Sequence, residues 1–168
     1  VEEISITYYS GDQYIFAAVS TEGGILWVSD DAGVSWDTSY YKADHWHTRV
    51  QMKPTDATYG WSIIPSNNGS NSDDDAGPYK TTNGGTNWNL LDGGLTNAKI
   101  LHALAIDTSS TYLNTAYVGS EGNSGNSYSR LWKTTDGGQN WNLSQTGLPA
   151  NDSGAVLDIK IQAGGTTL

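Results

Sequence analysis

The side chains of this sequence that could do chemistry fall in three polar stretches, at 40–47, 67–77 and 121–130, which between them supply aromatic residues and carboxylates. Aromatic rings stack on the faces of sugar rings, while carboxylates bind hydroxyls or act as acid and base. These stretches are therefore candidates for contacting a glycan; the alternative is that Trp46 packs at a junction and the acids only solvate loops. The candidate ligand-binding residues are Tyr41, Asp44, His45, Trp46, His47, Asp73, Asp74, Asp75, Tyr128 and Arg130.

Two of these stretches also raise the question of a metal. His45 and His47 would point to the same side of a strand and could share a metal ion, but no third ligand is evident. The run Asp73, Asp74 and Asp75 could hold Ca²⁺, which takes several oxygen ligands from a flexible loop. The run lacks the spacing of an EF-hand, and its alternative is a solvated acidic loop. We predict no cofactor, with Ca²⁺ at this run as the alternative.

The charge balance excludes some partners. The net charge is −10 with only eight Lys and Arg, and nucleic-acid affinity depends on neutralised phosphates, so we predict no nucleic-acid partner. An anionic membrane surface is disfavoured for the same reason, and no stretch approaches the ~20 apolar residues of a membrane span.

There is no cysteine, which fits an extracellular protein. Because the sequence starts at Val1 in an apparent strand, we expect a processed or partial chain.

An internal repeat organises the whole chain. Three octapeptides share the pattern S/T-x-D/N-x-G-x-x-W, and their final tryptophans lie 52 and 53 residues apart, a period typical of propeller repeats. The glycines permit φ > 0 in a tight turn, and the Asp or Asn oxygens can accept hydrogen bonds from the turn backbone. The tryptophans are expected to pack between neighbouring sheets. The repeated residues are Ser29, Asp31, Gly33, Trp36, Thr81, Asn83, Gly85, Trp88, Thr134, Asp136, Gly138 and Trp141.

With this repeat the chain resembles the Asp-box, or BNR-repeat, β-propeller superfamily, which includes sialidases, xyloglucanase-type glycoside hydrolases, sortilin-type receptors and photosystem-assembly factors. The resemblance implies an all-β fold of four-stranded antiparallel blades, with a structural Asp-box turn between the third and fourth strands. The whole chain, 1–168, then reads as a partial propeller of about three blades. The blades are expected at 3–43, 44–97 and 98–150, with the first strand of a fourth at 155–162.

A ring of blades typically needs four to eight members. We therefore expect further blades, from the same chain or from other protomers, to complete the ring. By analogy with other propellers, a ligand is expected on the face opposite the Asp-box turns. On that face lie the three polar stretches described above.

The resemblance leaves the activity open. Sialidases need an arginine cluster, and this chain contains only Arg49 and Arg130. A xyloglucanase-like mechanism needs two opposed carboxylates, about 6.5–9.5 Å apart in inverting enzymes, and no pair is marked by a motif here. We therefore expect an extracellular or cell-surface module with a binding or structural role and a glycan or protein partner. The alternatives are a glycoside hydrolase fragment and a self-assembling surface-array or filament subunit.

Overall fold

The computed structural model describes residues 1–20, 23–46, 49–66, 74–95, 98, 100–121, 130–144, 146–148 and 154–161. Three of the candidate residues, His47, Asp73 and Tyr128, lie outside these residues. The described residues form twelve β-strands and no helix. None of them therefore belongs to a helix long and apolar enough to cross a membrane.

The strands form three antiparallel sheets of four, in which each strand pairs with its neighbours in the sequence. This confirms the predicted all-β fold of four-stranded propeller blades. The first sheet contains β1 (Glu3–Tyr9), β2 (Asp12–Val19), β3 (Gly24–Ser29) and β4 (Asp37–Lys42). The second contains β5 (Arg49–Lys53), β6 (Asp56–Ile64), β7 (Gly77–Thr81) and β8 (Asn89–Leu90). The third contains β9 (Leu101–Ile106), β10 (Ala116–Ser120), β11 (Arg130–Thr134) and β12 (Asn142–Leu143).

Polar side chains on one face of β1 hold the first two sheets side by side. Because successive side chains alternate between the faces of a strand, Glu3, Ser5 and Thr7 all point toward β5. Glu3 Oε2 accepts a hydrogen bond from the N–H of Val50 at 2.7 Å, and Ser5 Oγ accepts from the N–H of Met52 at 2.9 Å. The Thr7 hydroxyl donates to the carbonyl of Lys53. These contacts satisfy backbone groups that an unpaired strand edge would otherwise expose.

The same arrangement recurs one sheet further on. The side-chain amide of Gln51, on β5, donates to the carbonyl of Leu104, on β9, at 2.9 Å. The first strands of successive sheets are therefore joined by side chains rather than by a strand ladder.

Apolar side chains fill the two junctions between sheets. Phe16 and Leu26 of the first sheet pack with Val50, Met52 and Trp88 of the second. Another cluster joins the second and third sheets, and its members include Trp61, Ile63, Leu104, Val118, Trp132 and Trp141. Burial of each such side chain contributes about 1.5–3 kcal/mol, so these junctions are the main source of stability.

The three octapeptides form equivalent turns between the third and fourth strands of each sheet. In each turn the first residue's hydroxyl accepts the N–H of a glycine with positive φ, a backbone conformation that side chains other than glycine rarely adopt. The N–H of Gly33 reaches Ser29 Oγ at 2.8 Å, and those of Gly85 and Gly138 reach Thr81 Oγ1 and Thr134 Oγ1, each at 2.9 Å.

The third residue of each octapeptide ties the turn together. Its Oδ1 accepts the hydroxyl of the first residue and also the backbone N–H of the seventh. This second bond runs from Ser35 to Asp31 at 2.8 Å, from Asn87 to Asn83 at 2.9 Å and from Asn140 to Asp136 at 3.0 Å.

These donors stabilise the charged carboxylates. The pKa of Asp31 is lowered from 3.8 to about 2, chiefly by the hydrogen bond from the Ser35 hydroxyl. The pKa of Asp136 is also lowered to about 2, chiefly by the side-chain amide of Asn140.

The final tryptophan of an octapeptide packs on the sheet before it. The indole N–H of Trp88 donates to Ser39 Oγ on β4 at 3.0 Å, and that of Trp141 donates to the carbonyl of Leu91, just after β8, at 2.7 Å. Trp36 departs from the expectation that all three tryptophans lie between sheets. Its side chain is 40% exposed, against 6% for Trp88 and 3% for Trp141, because no described sheet precedes the first.

The segment after the third sheet also differs from the expected strand at 155–162. Its described part, 154–161, makes one isolated bridge, between Ala155 and Glu121, and forms no strand. A strand needs a continuous ladder, whereas the described residues here show the bridge and a hydrogen bond from the Val156 N–H to the Ser120 carbonyl at 3.4 Å. Ile159 and Ile161 line, with the first strands of all three sheets, a channel of about 380 Å³. The blade boundaries at 43, 97 and 150 stay predictions.

Candidate functional site

The end of the sheets opposite the octapeptide turns carries the candidate ligand-binding residues that the structure describes. Tyr41 lies near the end of β4, the loop that follows contains Asp44, His45 and Trp46, and the segment that enters β7 contains Asp74 and Asp75. Tyr41 and Trp46 are exposed, as expected for side chains that could contact a ligand.

An ion pair joins these two segments. Lys42 Nζ lies 2.7 Å from Asp75 Oδ1, and the backbone carbonyl of Asp75 accepts the hydroxyl of Tyr79 at 2.8 Å. The hydrogen bond from Lys42 lowers the pKa of Asp75, and the positive charge of Lys42 contributes in the same direction. The pair therefore fixes the loop after β4 against the second sheet, with a carboxylate held ionised at the surface.

The ring of Tyr41 packs against a glycine, Gly23. A Cβ at Gly23 would lie 2.6 Å from Cε2 of Tyr41, so only glycine allows the tyrosine ring to lie this close to the β2–β3 connection. Gly23 also has a φ of +97°, which other side chains rarely adopt. One face of the Tyr41 ring is thus supported by backbone, which leaves the exposed remainder of the ring for a ligand.

His45, in the loop that follows β4, is buried. Its Nδ1 lies 3.0 Å from the carbonyl of Ala43, and because a carbonyl only accepts, Nδ1 carries the proton. Asp44, just before it, has a φ of +58°, which turns the loop sharply. The buried imidazole therefore anchors its own loop through Nδ1.

The third sheet contributes a separate group of charged residues. The Arg130 guanidinium lies 6.0 Å from the centre of the Trp132 ring, an arrangement that favours a cation–π interaction. Nearby, His102 Nε2 lies 3.0 Å from Glu121 Oε2. Among the described residues, no hydrogen bond or ion pair joins Arg130 to the loop after β4.

Sequence reasoning missed Lys42, His102 and Glu121. Lys42 lies within the aromatic stretch and could have been included, because its neighbours were. No spacing signal connects His102 with Glu121, since their pairing depends on the register of β9 against β10.

The metal predictions remain untested. The described residues contain no cluster of three or more potential metal ligands, but His47 and Asp73 lie outside them. The Ca²⁺ site at Asp73, Asp74 and Asp75 therefore stays a prediction.

One carboxyl group at the same end of the sheets has an elevated pKa. Burial raises the pKa of Glu3 above its ordinary value of 4.5, although the N–H of Val50 and the charge of Arg49 oppose the shift. An elevated pKa is typical of a catalytic acid. Here the carboxylate already binds the backbone of β5, so its geometry supports a structural role.

Three solved structures resemble this fold. A GH74 enzyme from Niastella koreensis matches with a TM-score of 0.59 and 18% identity, over 91% of this chain and 23% of the enzyme. The GH74 xyloglucanase from Xanthomonas campestris matches with a TM-score of 0.57 and 16% identity, over 89% of this chain and 24% of that one. The structure of YCF48 bound to D1 peptide matches with a TM-score of 0.51 and 16% identity, over 83% of this chain and 38% of that one.

These relatives are β-propeller proteins, and at such low identity the likeness shows the propeller-type fold alone. This chain spans less than two fifths of the length of each. No protein-family model matches the sequence, and no curated protein matches it either.

Proposed function

We propose that this chain is a module of an Asp-box propeller that acts outside the cell or at its surface, with a structural and binding role. Its structural role is to dock a further blade onto the outer face of the first sheet. The observation that carries this proposal is a difference in burial between equivalent positions of the three sheets.

Strand register defines these equivalent positions. In the first sheet, Ile4 on β1 pairs with Ala17 on β2, which pairs with Trp27 on β3. The equivalent residues on the first and third strands are Val50 and Tyr79 in the second sheet. In the third sheet they are Leu104 and Trp132. Val50 and Leu104 are 0% and 2% exposed because the preceding sheet covers them, whereas Ile4 is 57% exposed. Trp36 is likewise more exposed than Trp88 and Trp141, which occupy the equivalent positions in the other two octapeptides.

The outer face of the first sheet therefore has the apolar character of a blade junction. It contains a groove of about 360 Å³ lined by Val1, Ile4, Ala17, Val19, Trp27 and Trp36. A four-stranded sheet with an acceptor on its outer strand for the Trp36 indole N–H is the partner that fits. Such a sheet comes from the same polypeptide or from another copy.

Sedimentation velocity across a range of concentrations tests this role. We expect the chain to associate with increasing concentration, and we expect Ile4→Glu combined with Trp36→Ala to abolish the association. Val34→Glu is the matched control, because Val34 is highly exposed and lies outside the groove. A monomer at every concentration, with identical behaviour of wild type and variants, would contradict the docking face.

A second candidate function is glycan binding at the opposite end from the octapeptide turns. It is favoured by the exposed rings of Tyr41 and Trp46, by the support that Gly23 gives to Tyr41, and by the Lys42–Asp75 ion pair. The likeness to a xyloglucanase makes a neutral β-linked glycan the first ligand to test. The likeness to a peptide-bound propeller makes a peptide the alternative.

Affinity electrophoresis in xyloglucan tests glycan binding. Tyr41→Ala and Trp46→Ala should each remove the retardation, whereas Tyr112→Ala, which changes an exposed tyrosine elsewhere, should not. A reducing-sugar assay separates binding from hydrolysis: turnover that is lost in Asp44→Ala or Asp74→Ala would favour the glycoside hydrolase alternative. Unretarded wild-type protein would contradict glycan binding at this end.

A further inference from the structure

The junction between the first two sheets contains an open cleft on the side of the octapeptide turns. The cleft has a volume of about 260 Å³ and is lined by Tyr9, Tyr14, Ala57, Thr58, Asn83 and Gly84. These residues come from the β1–β2 hairpin, the start of β6 and the second octapeptide. The cleft therefore lies at the opposite end of the sheets from the candidate site described above.

The corresponding position at the next junction is filled. Tyr14 and Tyr59 occupy equivalent positions on the second strands of their sheets. Tyr14 lies three residues before the β2 residue that pairs with Trp27, and Tyr59 lies three residues before the β6 residue that pairs with Tyr79. The Tyr112 ring packs edge-on against Tyr59 with ring centres 5.6 Å apart. At the first junction no described ring covers Tyr14 in this way, and the space is the cleft.

The second octapeptide differs from the other two at this cleft. Asp31 and Asp136 use their second carboxylate oxygen to accept from Ser35 and from the side chain of Asn140. Asn83 has an amide nitrogen in place of that oxygen, while its Oδ1 accepts from Thr81 and Asn87. Its Nδ2 donates to no described residue, so two N–H donors remain for a ligand.

The chemistry of the cleft selects an uncharged, ring-shaped ligand. Two tyrosine rings offer flat apolar surfaces with polar hydroxyls, and the Asn83 amide and the Thr58 hydroxyl add donors and acceptors. None of the lining residues is charged, and the chain as a whole carries −10, which disfavours anions. The volume is below the roughly 300–1,000 Å³ of sites for drug-sized ligands, which suits one or two small rings.

We propose that this cleft is a saccharide-binding site that takes a neutral pyranose unit, with Tyr9 and Tyr14 packing against the sugar ring and Asn83 donating to its hydroxyls. The site is independent of the docking face and of the glycan site proposed at the other end. A proline-rich peptide, which also packs on aromatic grooves, is the competing ligand class.

Titration of ¹⁵N-labelled protein with cellotetraose, followed by NMR, tests the proposal. We expect shifts of the Asn83 side-chain amide and of the Gly84 backbone amide. Tyr9→Ala should weaken binding about tenfold, because it removes one of the two aromatic surfaces against which the sugar ring packs. Asn83→Asp should weaken it at least about fivefold while keeping the turn, because Asp occupies the same position in the other two octapeptides.

Tyr8→Ala is the matched control. Tyr8 and Tyr9 are adjacent on β1 and each 50% exposed, but they lie on opposite faces of the strand, so Tyr8→Ala should leave the affinity unchanged. Shifts confined to Tyr41 and Trp46 would contradict this site while supporting the glycan site at the other end. The proposal would be overturned if the two tyrosine variants had equal effects, or if cellotetraose caused no shift at Asn83 and Gly84. It would also be overturned if these residues shifted with hexaproline and not with cellotetraose.

Discussion

The indole N–H of Trp88 donates to the hydroxyl of Ser39 at 3.0 Å, across the junction between the second octapeptide and the outer strand of the first sheet. Ser39 Oγ in turn donates to the carbonyl of Gly85 at 2.8 Å, so the octapeptide and the preceding sheet hold each other. Trp141 repeats the contact on Leu91 at the next junction. The turn of one sheet is therefore also the contact that attaches it to the sheet before.

The tryptophans should differ in their contribution to stability. Trp88→Ala removes a buried ring and its hydrogen bond, and we expect it to lower the free energy of unfolding by about 3–5 kcal/mol. Trp36→Ala should have less than half that effect, because the Trp36 ring lacks a covering sheet. Urea denaturation measures both. Equal losses for the two variants would show that the rings have equivalent surroundings.

Acid should weaken the turns that contain aspartate. The pKa values of Asp31 and Asp136 are lowered from 3.8 to about 2, so their stabilisation is present above pH 3.8 and is lost as the pH falls through about 2. Asn83→Asp should add a third such group, with Asn87 placed as Asn140 is in the third turn. Thermal denaturation should show a gain for the variant at pH 6 that disappears at pH 2. A gain that is the same at both pH values would refute the assignment.

Glu3 should show the opposite pH dependence. Its pKa is raised above 4.5 by burial, so its stabilising contribution is complete below pH 4.5 and is lost as the pH rises through the raised pKa. We expect Glu3→Gln to be at least as stable as the wild type at pH 7, with the difference closing toward pH 4.5. Glu3→Ala leaves the Val50 N–H without its acceptor and should lose about 1–3 kcal/mol. A glutamine variant as unstable as the alanine variant would contradict this role.

Alanine substitutions at two glycines with positive φ should distinguish the cost of backbone strain from the cost of side-chain crowding. Gly138 has a φ of +96°, and a Cβ there would lie 2.6 Å from the Trp61 ring; Gly147 has a φ of +89°, and a Cβ there would have no described atom within 4 Å. Gly147→Ala should lose about 1–2 kcal/mol from the left-handed backbone alone. Gly138→Ala should lose about 1–3 kcal/mol more from overpacking against Trp61. Chemical denaturation checks both, and equal losses would mean that the third turn does not pack on the second sheet.

The sequence was most informative where a local pattern determines the structure. The spacing of hydroxyl, Asp or Asn, and glycine predicted the turns, because these residues bond to one another within eight positions. The exposed Trp36 could not be predicted, since its surroundings depend on which sheet lies beside it. The same limit applies to the site: the Lys42–Asp75 pair and the open cleft at Tyr14 arise from packing between sheets, and no local spacing encodes them.

Hydrogen exchange of the indole N–H groups, followed by NMR in dilute solution, tests the central claim that each octapeptide is seated on the preceding sheet. Signals are assigned with single Trp→Phe variants. Slow exchange is predicted for Trp88 and Trp141, whose N–H groups are buried and hydrogen-bonded, and fast exchange for Trp36. Indistinguishable exchange rates for the three indoles, or a protected Trp36 beside an unprotected Trp88, would contradict the account.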